Sequence, residues 1–303
     1  MTTTARISVE IELGWGFHDK KPPSAVAELS DDGSAERAAL QWLLDLCDEF
    51  EIPITFNIVG HLLLDSCDGN HDGPHTDGWF DRDPGTDVDT DPLFYFPNVT
   101  EKIRATDVDH EVCTHTFSHV LCDEVSEEVL DWEFERARET HENNFVSLVP
   151  PRHRKPPYDT LRRNEIKVIR LATNDQPPTS AERRYVWNLR REHPLDTPME
   201  NDGVVETHTS PFMTLTAPYL SRGVSSPHPA YRVIPQQVRQ RIHERFLLSG
   251  LKAASKKNAN IHYWTHLYNL AHESQWVTVR QLFSEMSVRS GEVDTLTMCE
   301  LAD

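Results

Sequence analysis

Two patterns of apolar positions alternate along the chain. The strand-type pattern begins at Arg6–Leu13, where every second position is apolar. Six later runs are similarly short and apolar: Ile52–Val59, Glu111–Thr114, Phe145–Val149, Ile166–Leu171, Gly203–Thr207 and Asn260–Thr265. The pattern therefore predicts seven strands.

Helical periodicity fills most of the intervals between these strands. One helix is predicted from Ser34, a candidate N-cap, to Cys47. The other predicted helices are Val99–Ala105, Glu127–His141, Ala181–Arg191, Pro235–Lys256 and Thr278–Ser287. Alternation of this kind indicates βα units in a parallel sheet or (β/α) barrel. No linker-like stretch divides the chain, so we expect residues 1–303 to form a single α/β domain.

The interval 66–92 departs from the alternation. It is rich in Asp, Gly and His and is predicted to be a long loop, of the kind that is either functional or disordered in a compact domain. Its histidines His71 and His75 would permit a second metal site, but the composition favours an exposed polar loop. The loop could also form a lid over a substrate.

Charge and composition limit the classes of binding partner and the cellular location that we expect. The formal net charge of −19 disfavours nucleic acid and anionic membranes as partners. The chain is acid-rich and lysine-poor, which suggests adaptation to high salt, where the self-repulsion is screened. No apolar run reaches the ~18 residues of a membrane span, so none is predicted. Because Met1–Ile7 lacks the features of a secretory signal, we expect a cytoplasmic protein.

Cysteine usage argues against a disulfide framework. The chain has five cysteines, an odd number without CxxC spacing: Cys47, Cys67, Cys113, Cys122 and Cys299. Cys113 lies in an apolar strand pattern and is predicted to be a core residue, and the others are interpreted as ordinary thiols.

Groups suited to metal chemistry follow the ends of the predicted strands. His115 and His119 come directly after Glu111–Thr114, and their spacing would let them face one metal ion if the segment turned helically. Glu10 and Glu12 lie on the same side of the first strand. They are either exposed edge charges or buried carboxylates, which need an ionic partner or a metal.

Two further strand ends carry candidate polar residues, Arg152 after Phe145–Val149 and His266 after Asn260–Thr265. In a parallel barrel these ends collect at one rim. Two histidines and one carboxylate form a three-ligand site with an open position, as catalytic zinc requires. A second carboxylate could serve as general base and a further histidine as general acid.

The order of these motifs resembles the polysaccharide deacetylase (NodB-homology) family, carbohydrate esterase family four, across nearly the whole chain. The most specific match is HEVCTHTFSHV at 110–120, which resembles the metal-binding histidine motif of that family. Three other segments are similar to family motifs: IPITFNIVGHLLL at 52–64, FVSLVPPRH at 145–153 and IHYWTHLYNL at 261–270. The resemblance implies an irregular (β/α) barrel of about seven strands.

The resemblance also implies roles for individual residues. Glu12, His115 and His119 would bind one divalent transition metal ion, with zinc as the expected ion. Glu10 would be the general base and His266 the general acid, and Arg152 would orient the base or pair with its charge. The implied reaction is removal of the N-acetyl group from an N-acetylated sugar or glycan intermediate.

This chain departs from the family pattern in its first strand. The two acidic residues are separated by Ile11 instead of being adjacent, and Glu10 is one methylene longer than the usual aspartate. The aspartate that tunes the acidic histidine has no clear counterpart, with Asp175 and Asp202 as candidates.

Aromatic side chains near the inferred site are suited to stacking on sugar rings: Trp79, Phe80, Trp264 and Tyr268. For Trp79 and Phe80, packing on the barrel rim fits equally well. A cytoplasmic location would favour a nucleotide-linked or lipid-linked sugar as substrate. Two alternatives remain: a metal-free amidohydrolase of the same fold, similar to allantoinase, and a catalytically inactive sugar-binding protein.

Overall fold

A single curled β-sheet organises the fold. The computed structural model describes residues 3–17, 29–142, 144–173, 194–210, 212–215 and 234–302. In these ranges the strands are β1 (Thr3–Ile11), β2 (Thr55–Ile58), β3 (Glu111–Thr114), β4 (Ser147–Leu148), β5 (Val168–Leu171), β6 (Met199–Asn201), β7 (Val204–His208), β8 (Ile261–His266) and β9 (Val293–Thr295).

Helices connect most of these strands. They are α1 (Ser34–Phe50), α2 (Val99–Arg104), α3 (Glu127–His141), α4 (Tyr158–Arg163), α5 (Gln236–Lys257), α6 (Leu267–Leu270) and α7 (Trp276–Val288). No described helix is long and apolar enough to cross a membrane.

The strand order is β6-β7-β5-β4-β3-β2-β1-β8, with β9 paired to the start of β1. All pairs are parallel except β6 with β7. The sheet curls until the segment after β7 meets β8, where the Ser210 N–H donates to the His262 carbonyl at 2.7 Å and the Met213 N–H to the Trp264 carbonyl at 2.8 Å. The fold is thus the irregular (β/α) barrel that the sequence predicts.

The seven predicted strands correspond to β1–β5, β7 and β8, and the prediction missed β6 and β9. The β6–β7 pair is a short hairpin closed by Asp202 and Gly203, both at positive φ. Asp-Gly is a strong hairpin signal in the sequence. Ser34 is the first residue of α1 and does not cap it, since Gly33 occupies the N-cap. The predicted helix Ala181–Arg191 lies outside the described residues.

The two faces of β1 differ in chemistry, and this difference places the site. Ile7, Val9 and Ile11 belong to the apolar core between sheet and helices. The alternate residues Ser8 and Glu10 are also buried, but they face polar side chains of the other strands inside the barrel. The barrel interior is therefore a polar, buried environment.

The predicted long loop is a folded segment anchored to the barrel. A short antiparallel bridge joins Ser66 to Asp87 at its base. The side chains of His71 and His75 are only 3% and 4% exposed and contact buried carboxylates. The expectation of an exposed polar loop was wrong for these two histidines, because their polar atoms find partners inside the fold.

Candidate active site at the barrel rim

One carboxylate oxygen is shared between two histidines at the rim. Glu12, just beyond β1, places Oε1 3.0 Å from His115 Nε2 and 3.5 Å from His119 Nε2. All three residues are buried, and their potential ligand atoms lie within 4.8 Å of one another. The structure thus brings together the three residues for which the sequence analysis predicted a metal.

The histidine motif is not helical. The sequence predicted that His115 and His119 would face one ion if the segment between them turned helically. Residues 115–119 form an irregular loop after β3, with Thr116 and His119 at φ of 60° and 63°. Such positive φ values are uncommon for non-glycine residues and often mark functional sites. Both imidazoles still converge, with ring centroids 5.0 Å apart.

Glu133 of α3 holds this loop in place. Its Oε2 accepts the backbone N–H groups of Phe117 and Ser118 at 2.8 Å each, and its Oε1 accepts the Ser118 hydroxyl at 2.5 Å. His75 contributes a further contact to Oε1 at 2.8 Å. A fully buried carboxylate with four partners supports the strained loop that carries the two histidines.

The hydrogen bonding of His115 fits a metal ligand. Its Nδ1–H donates to the Val149 carbonyl at 2.6 Å, which leaves Nε2 of the neutral ring as a lone pair facing Glu12 Oε1. Two acceptors that face each other repel unless a cation or a proton lies between them. A backbone carbonyl that fixes the tautomer of a ligating histidine is a common feature of metal sites.

A close approach of backbone to side chain permits the position of Glu12. Gly16 is so near that a Cβ built on it would lie 1.9 Å from Glu12 Oε2. Real Cβ atoms do not come so close to an oxygen. Gly16 therefore leaves the space in which the Glu12 carboxylate reaches both histidines.

Arg170 holds the second acidic residue, Glu10. This fully buried arginine of β5 reaches across the barrel, forms an ion pair with Glu10 Oε1 and donates to the Ser8 hydroxyl at 2.6 Å. The Ser8 oxygen also lies 3.0 Å from His262 Nε2. Glu10 is thereby oriented by charge and by a buried polar network.

His266 ends β8 beside both carboxylates. Its Nε2 lies 2.8 Å from Glu10 Oε2 and 3.7 Å from Glu12 Oε1. Its Nδ1 finds no hydrogen-bond partner among the described residues. The Tyr268 ring stacks on the imidazole at 4.8 Å between centroids. At 16% exposure the His266 side chain is more open to solvent than either carboxylate.

The charges of this group are mutually stabilised. Burial alone raises the pKa of Glu10, but His266 and Arg170 outweigh it and hold this pKa well below its usual value. Burial alone would raise the pKa of Glu12, but the charge of His266 outweighs it together with the imidazoles of His115 and His119, so this pKa lies well below its usual value. Burial lowers the pKa of His266, but the charges of Glu10 and Glu12 outweigh burial, so this pKa lies above its usual value.

Arg152 does not take the role expected for it. The charge partner of Glu10 is Arg170, whereas Arg152 is exposed, adopts a φ of 49° and donates to the Gly16 carbonyl at 3.1 Å. The left-handed turn at Pro151–His153 carries its backbone out of line with the strand. Sequence reasoning missed Arg170 because it stands in an apolar strand; a charge at an otherwise buried strand position was the available signal.

The structure also bears on the candidate aspartates and on the alternatives for the loop aromatic residues. Asp202 lies in the β6–β7 turn and pairs with Arg162, so it does not tune His266, and Asp175 lies outside the described residues. Trp79 and Phe80 pack on the barrel, with Trp79 Nε1–H donating to the Ser118 hydroxyl at 2.8 Å. The aromatic rings next to His266 include Phe212, Trp264 and Tyr268.

Comparisons with known structures agree with this architecture. A protein described as a polysaccharide deacetylase from Mycobacterium smegmatis is similar with a TM-score of 0.64 and 12% identity, covering 99% of this chain and 89% of that one. A second, from Pseudomonas aeruginosa PAO1, gives 0.58 and 10% over the same shares. The PuuE allantoinase gives 0.57 and 12%, again over 99% and 89%. At these identities the likeness concerns the fold alone.

The family follows from the sequence itself. Residues 18–175, just over half of the chain, match the sequence profile of the family described as polysaccharide deacetylase. The chain therefore belongs to the polysaccharide deacetylase family, and it is a hydrolase of amide bonds in N-acylated sugars. No curated protein matches the chain significantly in sequence.

Proposed function

We propose that this protein is a metal-dependent deacetylase that removes the acetyl group from an N-acetylated sugar. The observation that carries the proposal is the shared oxygen of Glu12, 3.0 and 3.5 Å from the two imidazoles, beside the Glu10–His266 pair. Family membership supports the reaction class, and the site geometry supports its dependence on a metal.

The residues present fit a divalent transition metal ion. Glu12, His115 and His119 offer one carboxylate and two imidazole donors, a set that suits zinc and leaves a coordination position open. The Glu10, Glu12 and His266 group is a poorer cation site, because the guanidinium of Arg170 already pairs with Glu10. When bound, the ion supplies Lewis-acid polarisation of the acyl oxygen and a lowered pKa for a water molecule.

Glu10 is assigned as the general base. Its carboxylate is held ionised by Arg170 and His266, so it can accept a proton from the attacking water. The water oxygen adds to the acyl carbon as that proton moves to Glu10. The ion pair with Arg170 fixes the orientation of the longer glutamate side chain, which supports its assignment as the base.

His266 is assigned as the general acid. The neighbouring carboxylates favour its protonated form, so it can donate the Nε2 proton to the leaving nitrogen. The C–N bond then breaks with its electron pair on nitrogen, which gives acetate and a free amine. Since Nε2 lies 2.8 Å from Glu10 Oε2, the proton gained by Glu10 can return to the imidazole and reset both groups.

The nature of the sugar is a narrower proposal. The half-buried ring of Tyr268 beside His266 supports stacking on a sugar face. The buried Trp264, in contrast, already stacks on Phe212. If the expected cytoplasmic location holds, a nucleotide-linked or lipid-linked sugar is favoured. Acetate release from UDP-N-acetylglucosamine and from chito-oligosaccharides should be compared, and turnover of the oligomer alone would reject this narrower proposal.

Metal dependence is tested by removing one ligand. In His115→Ala we expect the ion at this site to be lost, as measured by elemental analysis, together with acetate release. His110→Gln is the matched control, because His110 precedes the same strand at its opposite end and binds the Ile54 N–H. Acetate release by metal-stripped wild type, or hydrolysis of allantoin instead of an acetylated sugar, would support the metal-free amidohydrolase.

A further inference from the structure

A second group of metal-ligating side chains lies in the folded segment after β2. It consists of His61, Cys67, His71 and Asp83, which we call the loop quartet. One potential ligand atom from each lies within 4.8 Å of those from the other three. No residue of this group belongs to the proposed active site, and the mechanism above does not use any of them.

The donor atoms converge on one point. Asp83 Oδ2 lies 3.1 Å from His61 Nε2, 2.6 Å from His71 Nε2 and 3.2 Å from Cys67 Sγ. Cys67 Sγ also lies 3.5 Å from His61 Nε2. Tetrahedral zinc with bonds of about 2.0–2.3 Å separates its ligand atoms by roughly 3.3–3.8 Å. The Cys67–His61 separation lies within this range, and the Asp83 contacts with His61 and Cys67 fall about 0.1–0.2 Å short of it. The Asp83–His71 contact would have to lengthen by about 0.7 Å.

We propose that the loop quartet binds a second metal ion, of zinc type, that serves a structural role. Two imidazoles, a thiolate and a carboxylate are donors that zinc accepts. Four protein ligands would close the coordination shell, as in structural sites, without the open position of the three-ligand site. The side chains of His61, His71 and Asp83 are at most 3% exposed, which also fits a closed site.

A nucleophilic cysteine does not explain the same geometry. In a Cys-His-Asp arrangement the carboxylate orients one ring nitrogen and the other nitrogen meets the nucleophile. Here Cys67 Sγ and Asp83 Oδ2 both approach Nε2 of His61. Convergence on one nitrogen is the pattern of a shared ion, or of hydrogen bonds to Asp83 without metal.

The quartet is coupled to the loop that carries the catalytic histidines. The backbone N–H of His61 donates to the Phe117 carbonyl and that of Gly60 to the Thr116 carbonyl, both at 2.9 Å. An ion bound by His61 and by three residues of the following segment would fasten that segment to the catalytic loop. It would replace the regular secondary structure that the segment lacks.

Metal stoichiometry tests the proposal on the full-length protein. We expect two zinc ions per wild-type chain after dialysis, and one in Cys67→Ala and in His71→Ala. Cys299→Ala is the matched control: Cys299 is also a partly exposed thiol, but it lies outside the quartet. The quartet variants should lose one ion but keep the ion bound by Glu12, His115 and His119. His115→Ala should lose that ion and keep the one in the quartet, which separates the two sites.

Cobalt substitution and alkylation supply readouts that do not depend on the variants folding. Cobalt-loaded wild type should show a thiolate-to-cobalt charge-transfer band, because the quartet contains a cysteine and the active site does not. Bound metal should also protect Cys67 from iodoacetamide, as mapped by mass spectrometry. Absence of that band, equal alkylation of Cys67 with and without metal, or unchanged stoichiometry in both quartet variants would overturn the proposal in favour of a metal-free hydrogen-bonded cluster.

Discussion

At the scale of single residues, the sequence indicates which groups carry the chemistry but not how they are held. Glu10, Glu12, His115, His119 and His266 were all predicted from strand ends and family motifs, and the structure brings them together. Their supports, Arg170 and Gly16, were missed. Arg170 acts through a contact with Glu10, which is distant in the chain, and Gly16 acts by leaving space for the Glu12 carboxylate. Neither effect leaves a local sequence pattern.

Gly16 provides a prediction at this scale. In Gly16→Ala the new methyl group would displace the Glu12 carboxylate, so we expect metal affinity to fall by about 10-fold or more, as for other supports of metal ligands. Titration of metal-stripped protein with zinc measures the change. Gly291→Ala is the control, since a Cβ there would meet no atom within 4 Å. Unchanged affinity in Gly16→Ala would show that Glu12 needs no such space.

At the scale of elements, long periodic segments were predicted well and short ones were not. The helix Glu127–His141 was predicted with the bounds it has in the structure. The strands β6 and β9 have three residues each, too few for a periodic pattern. The loop quartet could not be predicted because its members are separated by irregular chain, and only the folded segment sets their distances.

The end of α3 supplies a pH prediction. Burial lowers the pKa of His141 to about 4, so the unfolded state binds more protons between about pH 6.5 and 4. The free energy of unfolding is therefore unaffected by protonation of His141 above pH 6.5, and it decreases as the pH falls towards 4. In His141→Leu the decrease in the free energy of unfolding between neutral and acidic pH should be smaller by on the order of 3 kcal/mol. Urea unfolding at pH 7.5 and 4.5 measures it, and an unchanged difference would contradict the assignment.

At the scale of the whole molecule, barrel closure turns scattered strand ends into one site. Glu10 lies near the end of β1 and Glu12 just beyond it, the histidine motif follows β3, and His266 ends β8. The curl of the sheet brings these strand ends together. Alternation of strands and helices was enough to predict this arrangement, because parallel strands place their carboxyl ends at one rim. The expectation that residues 1–303 form a single domain stays a prediction.

The net charge is also a property of the whole molecule. A value of −19 with few lysines supports the proposal that the protein works at high salt, where its self-repulsion is screened. The unfolding midpoint should then rise as KCl increases from low to molar concentrations. A midpoint that does not change with salt would indicate an ordinary acidic protein.

The two neighbouring carboxylates are assigned different roles, Glu12 as metal ligand and Glu10 as general base. One paired measurement tests this division. Metal content and acetate release should be measured together for Glu10→Gln and Glu12→Gln. We predict that Glu12→Gln loses both the active-site ion and activity, whereas Glu10→Gln keeps the ion and loses about 10²- to 10⁴-fold in rate, as expected for loss of a general base. Loss of the ion in Glu10→Gln, or an active, metal-loaded Glu12→Gln, would contradict the account.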